Sequence, residues 1–459
     1  MKTLSRLLLS VVLFVGFLAD SSFGKAFGPR AASPAAFSAT NAAWYSLAGA
    51  PSDSTYLLRT GVALIADRSG NSAVNGIYFP PIAGNEISTP DAAPNRITGD
   101  IDVRLYVTWN AVQSADNSMC SKWSASKAWA FNLDAVGTIR LYYSLDGSAA
   151  LSVASTVTVA YAPGTTSWYR FTRVQSTGVV TFYTSTDGTT WTQVGATVVA
   201  SAGSALFNST SAVFIGGIAG TPVSNFFVRR FELRSVIGGS VAQQADPSVV
   251  AKLASSWVSS TGETWTIATS GDLGSRICGA RDLVQLTAAK QPAFSVVGGY
   301  NTATFDGSND YMKAAAFSLN QPETIYFAGS QVTWTAGDTL FDGNAANSGH
   351  LQQDTSTPRL RAFAGASLAF ISPTLATPSV LTTVFNGAAG SIRWNLGTAV
   401  TGNVGASNMG GFTLGVTGDN AGTFCNITFN EALLRSAADD TTTQNALTAY
   451  EMLTWGITP

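Results

Sequence analysis

The carboxylates of this sequence are spread thinly along the chain. It has six Glu residues, and none has another Glu or an Asp within four positions: Glu86, Glu232, Glu263, Glu323, Glu431 and Glu451. Hydrolysis of a glycosidic bond with retention needs two carboxyl groups about 5–5.5 Å apart. Asp100 and Asp102 would share one face of a strand, while their neighbours Ile101 and Val103 point inward. We expect these two Asp side chains to be solvated rather than catalytic.

Nucleophilic and metal chemistry is restricted by residue type. His350 is the only histidine, so a Ser-His-Asp or Cys-His site would have to use it, and a metal site of several histidines is excluded. Its surroundings, HLQQD, predict an ordinary surface position in a polar loop. The three cysteines Cys120, Cys278 and Cys425 lie far apart, and we interpret them as buried thiols. The sequence also lacks a Walker loop and an HExxH motif.

Tryptophan offers a different chemistry, which is stacking against the apolar face of a ligand. A sugar binds through an exposed aromatic side chain with amide or carboxylate partners nearby. Three tryptophans lie in the polar stretches SKWSASKAW and GTTWTQ and are the candidate ligand-binding residues: Trp123, Trp129 and Trp191. Three others begin or end apolar runs, which favours the core: Trp109, Trp168 and Trp334. Since Trp is usually largely buried, the core is the alternative for the first three as well.

The composition describes a chain that can fold but carries little charge. Hydrophobic residues make up 46% of its 459 residues and charged residues 11%, against about 25% in an average protein. Because ordinary domains have about 100–200 residues, two domains are expected. The formal net charge is -2 and no run of basic residues occurs, so nucleic acid is not an expected partner. A surface so poor in charge is typical of extracellular and virion β-proteins.

The first 24 residues have a separate character. Lys2 and Arg6 precede an apolar run from Leu7 to Ala19. A membrane span needs about 20 apolar residues and a secretory signal core about 7–15, so this run predicts a signal peptide at 1–24 and no stable membrane span. A hydrophobic anchoring segment is the alternative. Residues 25–40, rich in Ala, Ser and Pro, are predicted to be a flexible leader.

From Trp44 onward the sequence has an all-β pattern. Short runs of Val, Thr, Phe, Tyr and Trp recur about every ten residues, separated by Gly-containing turns. The clearest run, 168–195, contains two such turns and predicts a three-stranded meander. Asp146-Gly147 and Asn386-Gly387 carry the same hairpin signal. These patterns favour sandwiches or barrels over parallel α/β folds.

One short helix is predicted, at the C-terminus. Ser436 and Asp439 offer a capping box, and Gly456 stops the helix. Four apolar residues recur on one face between these signals: Ala446, Leu447, Tyr450 and Leu453.

The second half of the sequence repeats the first in outline. Four landmarks occur in the same order: 82–90 with 305–315, 98–109 with 321–334, 171–195 with 381–405, and AVFIGG…NFFVRRFELRSVI with GFTLGV…TFCNITFNEALLR. This order indicates a duplication. A Gly-rich connection after residue 257 places the joint near 270, so the predicted domains are 41–270 and 271–459.

These strands resemble the concanavalin A-like lectin/glucanase superfamily, in its laminin-G-like form. TATFDGSNDYMKAA is similar to the opening strand of such domains, and ITFNEALLRSAADDTTTQNALTAYEMLTWGI to their closing strand and helix. VTFYTSTDGTTWTQVG resembles a variant found in phage structural proteins. The resemblance implies two tandem jelly-roll sandwiches that bind ligands on the concave sheet face or at the loop rim. It implies a fold more strongly than a function, because one fold serves many functions.

The same resemblance makes calcium a candidate ion, because laminin-G-like domains often hold it at the loop rim. Carboxylates suit this hard cation, which takes 6–8 oxygen ligands. The candidate ligands are Asp306, Asp310, Asp342 and Asp419. The alternative is that Asp306 and Asp342, each followed by Gly, are turn residues that bond their own backbone.

Together these observations lead to one expectation and two alternatives. We expect a non-catalytic carbohydrate-binding or adhesion protein, secreted or displayed on a phage virion, whose partner is a polysaccharide or surface glycan. The first alternative is a structural virion component, such as a head decoration or tail fibre module, that packs on other virion subunits. The second is a glycoside hydrolase with a non-standard acid pair.

Overall fold

The computed structural model describes most of the chain after residue 40. The described residues are 41–47, 56–59, 62–65, 75–80, 82, 84–110, 116–162, 164–218, 225–269, 275–354, 358–371 and 373–458. The predicted signal peptide and leader lie outside these ranges. Within them, no helix is long and apolar enough to cross a bilayer.

Seventeen described strands build the first sandwich. They are β4 Gly76–Phe79, β5 Glu86–Thr89, β6 Ile101–Trp109, β7 Asn117–Trp123, β8 Lys127–Leu133, β9 Ile139–Tyr143, β10 Leu151–Ala154, β11 Thr166–Arg173, β12 Val179–Ser185, β13 Thr192–Gln193, β14 Val198–Val199, β15 Val213–Ile215, β16 Phe226–Arg234, β17 Gln243–Ala245, β18 Ser256–Val258, β19 Thr264–Ala268 and β20 Arg276–Cys278.

Another seventeen described strands and one α-helix build the second sandwich. They are β1 Asn41–Ser46, β2 Tyr56–Arg59, β3 Val62–Ile65, β21 Leu283–Gln285, β22 Ala293–Val297, β23 Tyr300–Asp306, β24 Met312–Lys313, β25 Glu323–Gln331, β26 Thr339–Asp342, β27 His350–Gln353, β28 Arg359–Phe363, β29 Ser367–Ile371, β30 Ser379–Phe385, β31 Gly390–Trp394, β32 Val400–Gly402, β33 Thr413–Leu414, β34 Asn426–Arg435 and α1 Thr441–Thr454. Short 3-10 turns occupy Ala93–Asn95, Pro247–Val249, Ala288–Lys290 and Gly387–Ala389.

The predicted all-β class with two sandwiches is confirmed. In the first sandwich, a nine-stranded sheet runs β13-β12-β11-β6-β16-β4-β20, with β14 on β12 and β17 on β16, and faces an eight-stranded sheet, β10-β9-β8-β7-β15-β5-β19-β18. The ladders at the centre of both sheets are antiparallel. The core between the sheets is a continuous cluster of buried apolar side chains.

Strand β6 shows how the sequence specifies this sandwich. Its apolar residues alternate with polar ones, so Ile101, Val103, Leu105, Val107 and Trp109 all lie in the core. Burying each such side chain stabilises the fold by about 1.5–3 kcal/mol. The residues in between therefore point to the opposite face of the nine-stranded sheet.

The predicted duplication is visible in the strand order. In the second sandwich one sheet runs β32-β31-β30-β25-β34-β23-β22, with β1 on β34, and the other runs β2-β3-β21-β24-β33-β26-β27-β28-β29. Position by position, the first of these sheets matches β13-β12-β11-β6-β16-β4-β20 with β17 on β16. The second sheet matches its counterpart apart from the additional β21.

The predicted extent of the first sandwich, 41–270, differs from the observed pairing at both ends. β1 pairs with β34, and β3 pairs with β21, so β1, β2 and β3 belong to the second sandwich. Tyr45 stacks on Phe412 inside the second core, and its hydroxyl donates to the Arg281 carbonyl at 2.7 Å. At the other end, β20 still pairs with β4 of the first sandwich. The first sandwich is therefore 75–279, inserted between two segments of the second.

The register of β1 explains why the sequence near it predicts the wrong sandwich for this strand. Ala43, Trp44 and Tyr45 face Leu434, Leu433 and Ala432 of β34. In the first sandwich, β17 places Gln243, Gln244 and Ala245 against Leu233, Glu232 and Phe231 of β16 in the corresponding register. The two sandwiches thus offer equivalent edges to β1, and the sequence near β1 does not distinguish them.

Two adjacent connections join the sandwiches. A small buried cluster of Phe227, Cys278 and Val284 lies where β20 leads into β21. The Lys252 ammonium donates to Asp282 at 2.6 Å, and Asp282 also accepts from the Gly279 backbone N–H. This joint is therefore packed and charge-compensated.

Most local predictions are confirmed. β11, β12 and β13 form the meander, and Asp146-Gly147 and Asn386-Gly387 connect paired strands. All three cysteines are buried free thiols. The helix exists, but its N-cap is Asp440, whose side chain accepts from Thr443 N–H. Leu453 is 61% exposed and does not join Leu447 on the buried face.

A cysteine pair tests the strand exchange. Ala43→Cys combined with Leu434→Cys should crosslink within one chain on mild oxidation, because the two Cα positions face each other in the β1–β34 ladder. The measurement is mass spectrometry of the non-reduced tryptic digest. Ala43→Cys with Leu233→Cys is the matched control, and a crosslink in that pair alone would contradict the observed pairing.

Candidate functional site

The three tryptophans predicted to bind ligand have different positions. Trp129 is fully buried in the first core, so it cannot stack on a ligand, and this prediction was wrong because β8 alternates into the core at that residue. Trp123 is only 8% exposed and lies under Lys127, edge-on to Tyr142. Trp191 is half-buried and lies over the outer face of the nine-stranded sheet.

Aromatic and charged side chains lie next to one another on that outer face. The ladder registers place these side chains in rows that run across the strands. One row is Gln193, Tyr183, Arg170, Arg104, Glu232 and Gln244, and the next is Ser185, Trp168, Tyr106 and Arg230. We call the surface formed by Tyr106, Trp168, Tyr183, Trp191, Arg104, Arg170, Arg229, Arg230 and Arg234 the arginine–aromatic face.

Asp102 fixes the centre of this face. Its carboxylate is fully buried and accepts from Arg170 Nε and Nη2, each at 2.8 Å, from Arg104 Nη2 at 2.9 Å, and from Gly238 N–H at 3.0 Å. Burial alone would raise the pKa of Asp102, but these hydrogen bonds outweigh burial and hold the pKa below its usual value. The prediction of a solvated pair is therefore wrong, because Asp102 is fully buried. Asp100 accepts from the Gln175 backbone N–H.

A tight turn positions Trp191 above the arginine pair. Asp187 Oδ1 accepts from the backbone N–H of Thr189 and Thr190 at 2.8 and 2.7 Å, which lowers the pKa of Asp187. Gly188 has φ +73°, and a Cβ there would lie 2.8 Å from the Trp168 ring, so the turn requires glycine. Trp191 follows this turn.

The guanidinium carbons of Arg104 and Arg170 lie 5.2 and 5.1 Å from the centre of the Trp191 ring. These are cation–π distances. Arg170 also lies 4.9 Å from the centre of the Tyr183 ring. Both arginines are thus held flat and oriented, by Asp102 on one side and by aromatic rings on the other.

The aromatic pair Tyr106 and Trp168 extends the face. Their rings stack with centroids 4.9 Å apart and planes 12° apart, and both residues are half-buried. Trp191 meets Trp168 edge-on at 6.3 Å. A rigid, half-exposed aromatic pair beside oriented guanidinium groups can bind the apolar side of a ligand ring and its oxygen substituents together.

Sequence reasoning assigned Trp168 to the core and did not single out Tyr106. The signal was present in the alternation of two strands, IDVRLYVTW and TSWYRFTR. In each, the residues between the buried positions are Asp, Arg, Tyr, Trp or Thr. Counting by twos from Ile101 would have placed Asp102, Arg104 and Tyr106 together on one outer face.

A groove borders the face where β17 and β18 lie at the edges of the two sheets. It has a volume of about 460 Å³ and is lined by Gln244, Asp246, Val249, Val250, Ala251, Ala254, Trp257 and Ser256 to Ser260. Arg230 connects this groove to the face, because it donates to Glu232, Asp246 and Gln244. Trp257 stacks on the core residue Trp265 at 6.4 Å.

The four candidate calcium ligands do not form one site. Among the described residues, no group of three or more Asp, Glu, His or Cys side chains could hold a metal ion. Asp306 and Asp310 form a local turn, in which Asp306 accepts from Ser308 N–H and Asp310 from Asp306 N–H. Asp419 accepts from the Thr417 hydroxyl.

Asp342 is the most strongly bonded of the four. Its carboxylate is fully buried and accepts backbone N–H groups from Gly343, Asn347, Ser348, Gly349 and Gly418. Five donors already satisfy its oxygens. The alternative turn assignment therefore describes Asp342 better than the role of metal ligand.

The ammonium group of Lys313 binds the loops that surround Asp342. Lys313 Nζ donates to the Asn344 carbonyl at 2.8 Å and to the Gly418 carbonyl. Burial lowers the pKa of Lys313 to about 8, while Asp342 and Asp419 act in the opposite direction. The carbonyl oxygens that could bind a cation here thus already bind the lysine.

His350, Glu431 and Glu451 are buried titratable groups of the second sandwich. His350 is fully buried in β27 and stacks on Phe363 at 5.2 Å, so the predicted surface loop position was wrong. Burial lowers the pKa of His350 to about 4. Glu431 and Glu451 lie close together but are fully buried between α1 and the sheet, and burial raises the pKa of Glu451 well above its usual value.

Comparisons with known proteins concern the fold. No family model and no curated protein matches the sequence. The LG4-5 domains of the mouse laminin alpha1 chain match with 8% identity over 78% of this chain and 87% of theirs, at a TM-score of 0.32. A putative carbohydrate binding protein from Bacteroides ovatus matches with 10% identity over 45% of this chain and 60% of its own, at a TM-score of 0.33.

The CBM40 of the Ruminococcus gnavus IT-sialidase, bound to alpha2,3 sialyllactose, is a third similar structure. It matches with 10% identity over 36% of this chain and 92% of its own, at a TM-score of 0.26. The assignment of two sandwiches rests on the strand pairing described above.

Calcium should not stabilise this protein. Because Lys313 already binds the rim carbonyls, millimolar calcium should leave the thermal unfolding midpoint unchanged, measured by calorimetry with and without chelator. Asp342→Asn should lower the free energy of unfolding by about 1–3 kcal/mol, since it weakens several buried hydrogen bonds. A calcium-dependent rise in the midpoint that Asp342→Asn abolishes would show that this assignment is incorrect.

Proposed function

We propose that the chain is a non-catalytic carbohydrate-binding protein that binds a polysaccharide or surface glycan on the arginine–aromatic face. We further propose that it acts outside the cell, in line with the signal peptide predicted at 1–24. The proposal rests on one comparison within the molecule itself, between the same sheet face in the two sandwiches.

In the second sandwich this face is covered by α1. Tyr326, which corresponds to Arg104 in strand position, packs with Leu447 of the helix, and its hydroxyl donates to Asp439. Arg393, which corresponds to Tyr183, donates to Asn445 and Thr448 of the helix. The face is therefore part of the interior of the second sandwich.

In the first sandwich the same positions hold Arg104, Arg170 and Tyr183. The described residues contain no second α-helix to cover them, and Trp168, Tyr106 and Trp191 stay half-exposed there. Aromatic rings and guanidinium groups in this setting supply what sugars need, which is apolar contact with C–H groups and donors for hydroxyl oxygens.

The absence of catalysis remains part of the proposal. The carboxylate at the centre of the face, Asp102, is held ionised by two arginines, and a general acid for glycoside cleavage needs the opposite environment, one that raises its pKa. The described carboxylates on this face, Asp102 and Glu232, each bind two arginines. This arrangement supports a binding role.

Two single tryptophan variants test this proposal. Trp168→Ala should weaken glycan affinity at least about tenfold, or about 1.4 kcal/mol, because it removes half of the aromatic pair. A glycan array on the intact protein would identify the ligand, and titration calorimetry would then compare the variants.

Trp123→Ala is the matched control, because Trp123 lies on the other sheet of the same sandwich. This substitution should leave the glycan affinity unchanged. Thermal unfolding of both variants separates lost binding from lost folding. Binding that depends on Trp123 and not on Trp168 would assign the ligand to the other sheet, and no binding to any glycan would reject the proposed function.

A further inference from the structure

A β-bulge places one additional arginine on the arginine–aromatic face. The register between β16 and β6 shifts between Val228 and Arg230, so that Arg229 is the extra residue. A bulge turns two consecutive side chains toward the same side of the strand. Arg229 and Arg230 are accordingly both half-buried beside the face.

Arg229 differs from the other arginines of the face in its partners. Arg104 and Arg170 share Asp102, and Arg230 and Arg234 share Glu232. Arg229 donates through Nε to the Thr108 hydroxyl at 2.9 Å and lies 5.2 Å from the Phe227 ring centre. Within the described ranges it forms no ion pair, and neither Nη group has a hydrogen-bond acceptor.

The surroundings make an unpaired charge at this position costly. Burial lowers the pKa of Arg229, with an opposing contribution from Tyr106, yet a guanidinium stays charged at neutral pH. A partly desolvated charge is stabilised by an opposite charge.

The position of Arg229 relative to the aromatic pair points to the source of that opposite charge. Arg229 donates to Thr108, which lies two residues after Tyr106 on the same face of β6, and Tyr106 stacks on Trp168 at 4.9 Å. An anionic group and the ring that carries it can therefore meet Arg229 and the aromatic pair at the same time. With Nε committed to Thr108, the two Nη groups remain as a planar pair of donors, which matches the two oxygens of a carboxylate.

We propose that the ligand of the arginine–aromatic face is a polysaccharide bearing carboxylate groups, and that Arg229 binds one carboxylate while the sugar ring packs against Tyr106 and Trp168. This inference rests on the proposed function and specifies the class of its ligand. Charge complementarity supports it, since the face holds five arginines, four of which pair with three described carboxylates, Asp102, Glu232 and Asp246, in a chain whose net charge is -2.

The test uses four probes and the full-length protein. Titration calorimetry would compare polygalacturonate, its methyl-esterified form, neutral galactan and dextran sulfate. Polygalacturonate should bind most tightly and weaken as salt rises, because salt screens the ion pair. Arg229→Gln should reduce its affinity about 10–100-fold and leave neutral galactan unaffected.

The matched control is Arg96→Gln, the same change of charge at a site on another surface, where Arg96 binds Asp91. It should leave polygalacturonate affinity unchanged, and circular dichroism melting would confirm that both variants fold. Arg229→Lys should recover only part of the affinity, because an ammonium cannot present two parallel donors.

Three results would overturn this inference. They are an unchanged affinity in Arg229→Gln, equal binding of the acid and its methyl ester, and dextran sulfate binding as tightly as polygalacturonate in an Arg229-dependent way. Neutral galactan binding that Trp168→Ala abolishes, with no preference for the acid, would reject the carboxylate ligand while leaving carbohydrate binding intact. If none of the four probes binds and the glycan array is also empty, both proposals fail.

Discussion

The buried carboxylate of Asp102 is the interaction on which the proposed binding face depends. Hydrogen bonds from Arg104, Arg170 and the Gly238 backbone N–H converge on it, and they fix the two arginines side by side under Trp191. Breaking a buried ion pair by removing one partner costs about 3–5 kcal/mol, because the other charge stays desolvated. Without Asp102 the two guanidinium groups would repel each other, and Trp191 would lose the surface against which it is held.

The two sandwiches put the same strand order to different uses. In the second, the face that corresponds to the arginine–aromatic face is closed by α1, with Tyr326 and Leu447 in its interior. In the first, Asp102 and Glu232 each bind two arginines, and the aromatic residues of the face stay half-exposed. Because β1, β2 and β3 belong to the second sandwich, the chain passes between the two sandwiches twice. We therefore expect the sandwiches to move less independently than tandem domains on one linker.

The sequence determines the parts of this structure that depend on local pattern. Alternation, Asp-Gly turns and the repeat predict the sheets, the meander at 168–195 and the helix, because side-chain period and turn chemistry act over a few residues. The pairing of β1 with β34 could not be predicted this way, since β16 offers an equivalent edge. That choice is made by contacts distant in sequence, such as Tyr45 with Phe412.

The candidate site was predicted less well than the fold. Polar neighbours in sequence suggested an exposed Trp129, yet neighbours along a strand point to the opposite face and say little about burial. The resemblance to laminin-G-like domains made Asp342 a candidate metal ligand. Four of its backbone donors belong to the turn that follows it, whereas Gly418 and Lys313 come from distant parts of the chain. Only Trp191 lies at the surface for which it was predicted, and its neighbour Trp168 was missed.

Contact between a saccharide and the arginine–aromatic face can be measured in the indole N–H NMR spectrum of the protein during titration with a glycan ligand. We expect the Trp168 and Trp191 resonances to shift with saturation, while those of the core residues Trp109, Trp129 and Trp265 stay in place. Shifts confined to other tryptophans, with Trp168 and Trp191 unchanged at saturation, would contradict the account.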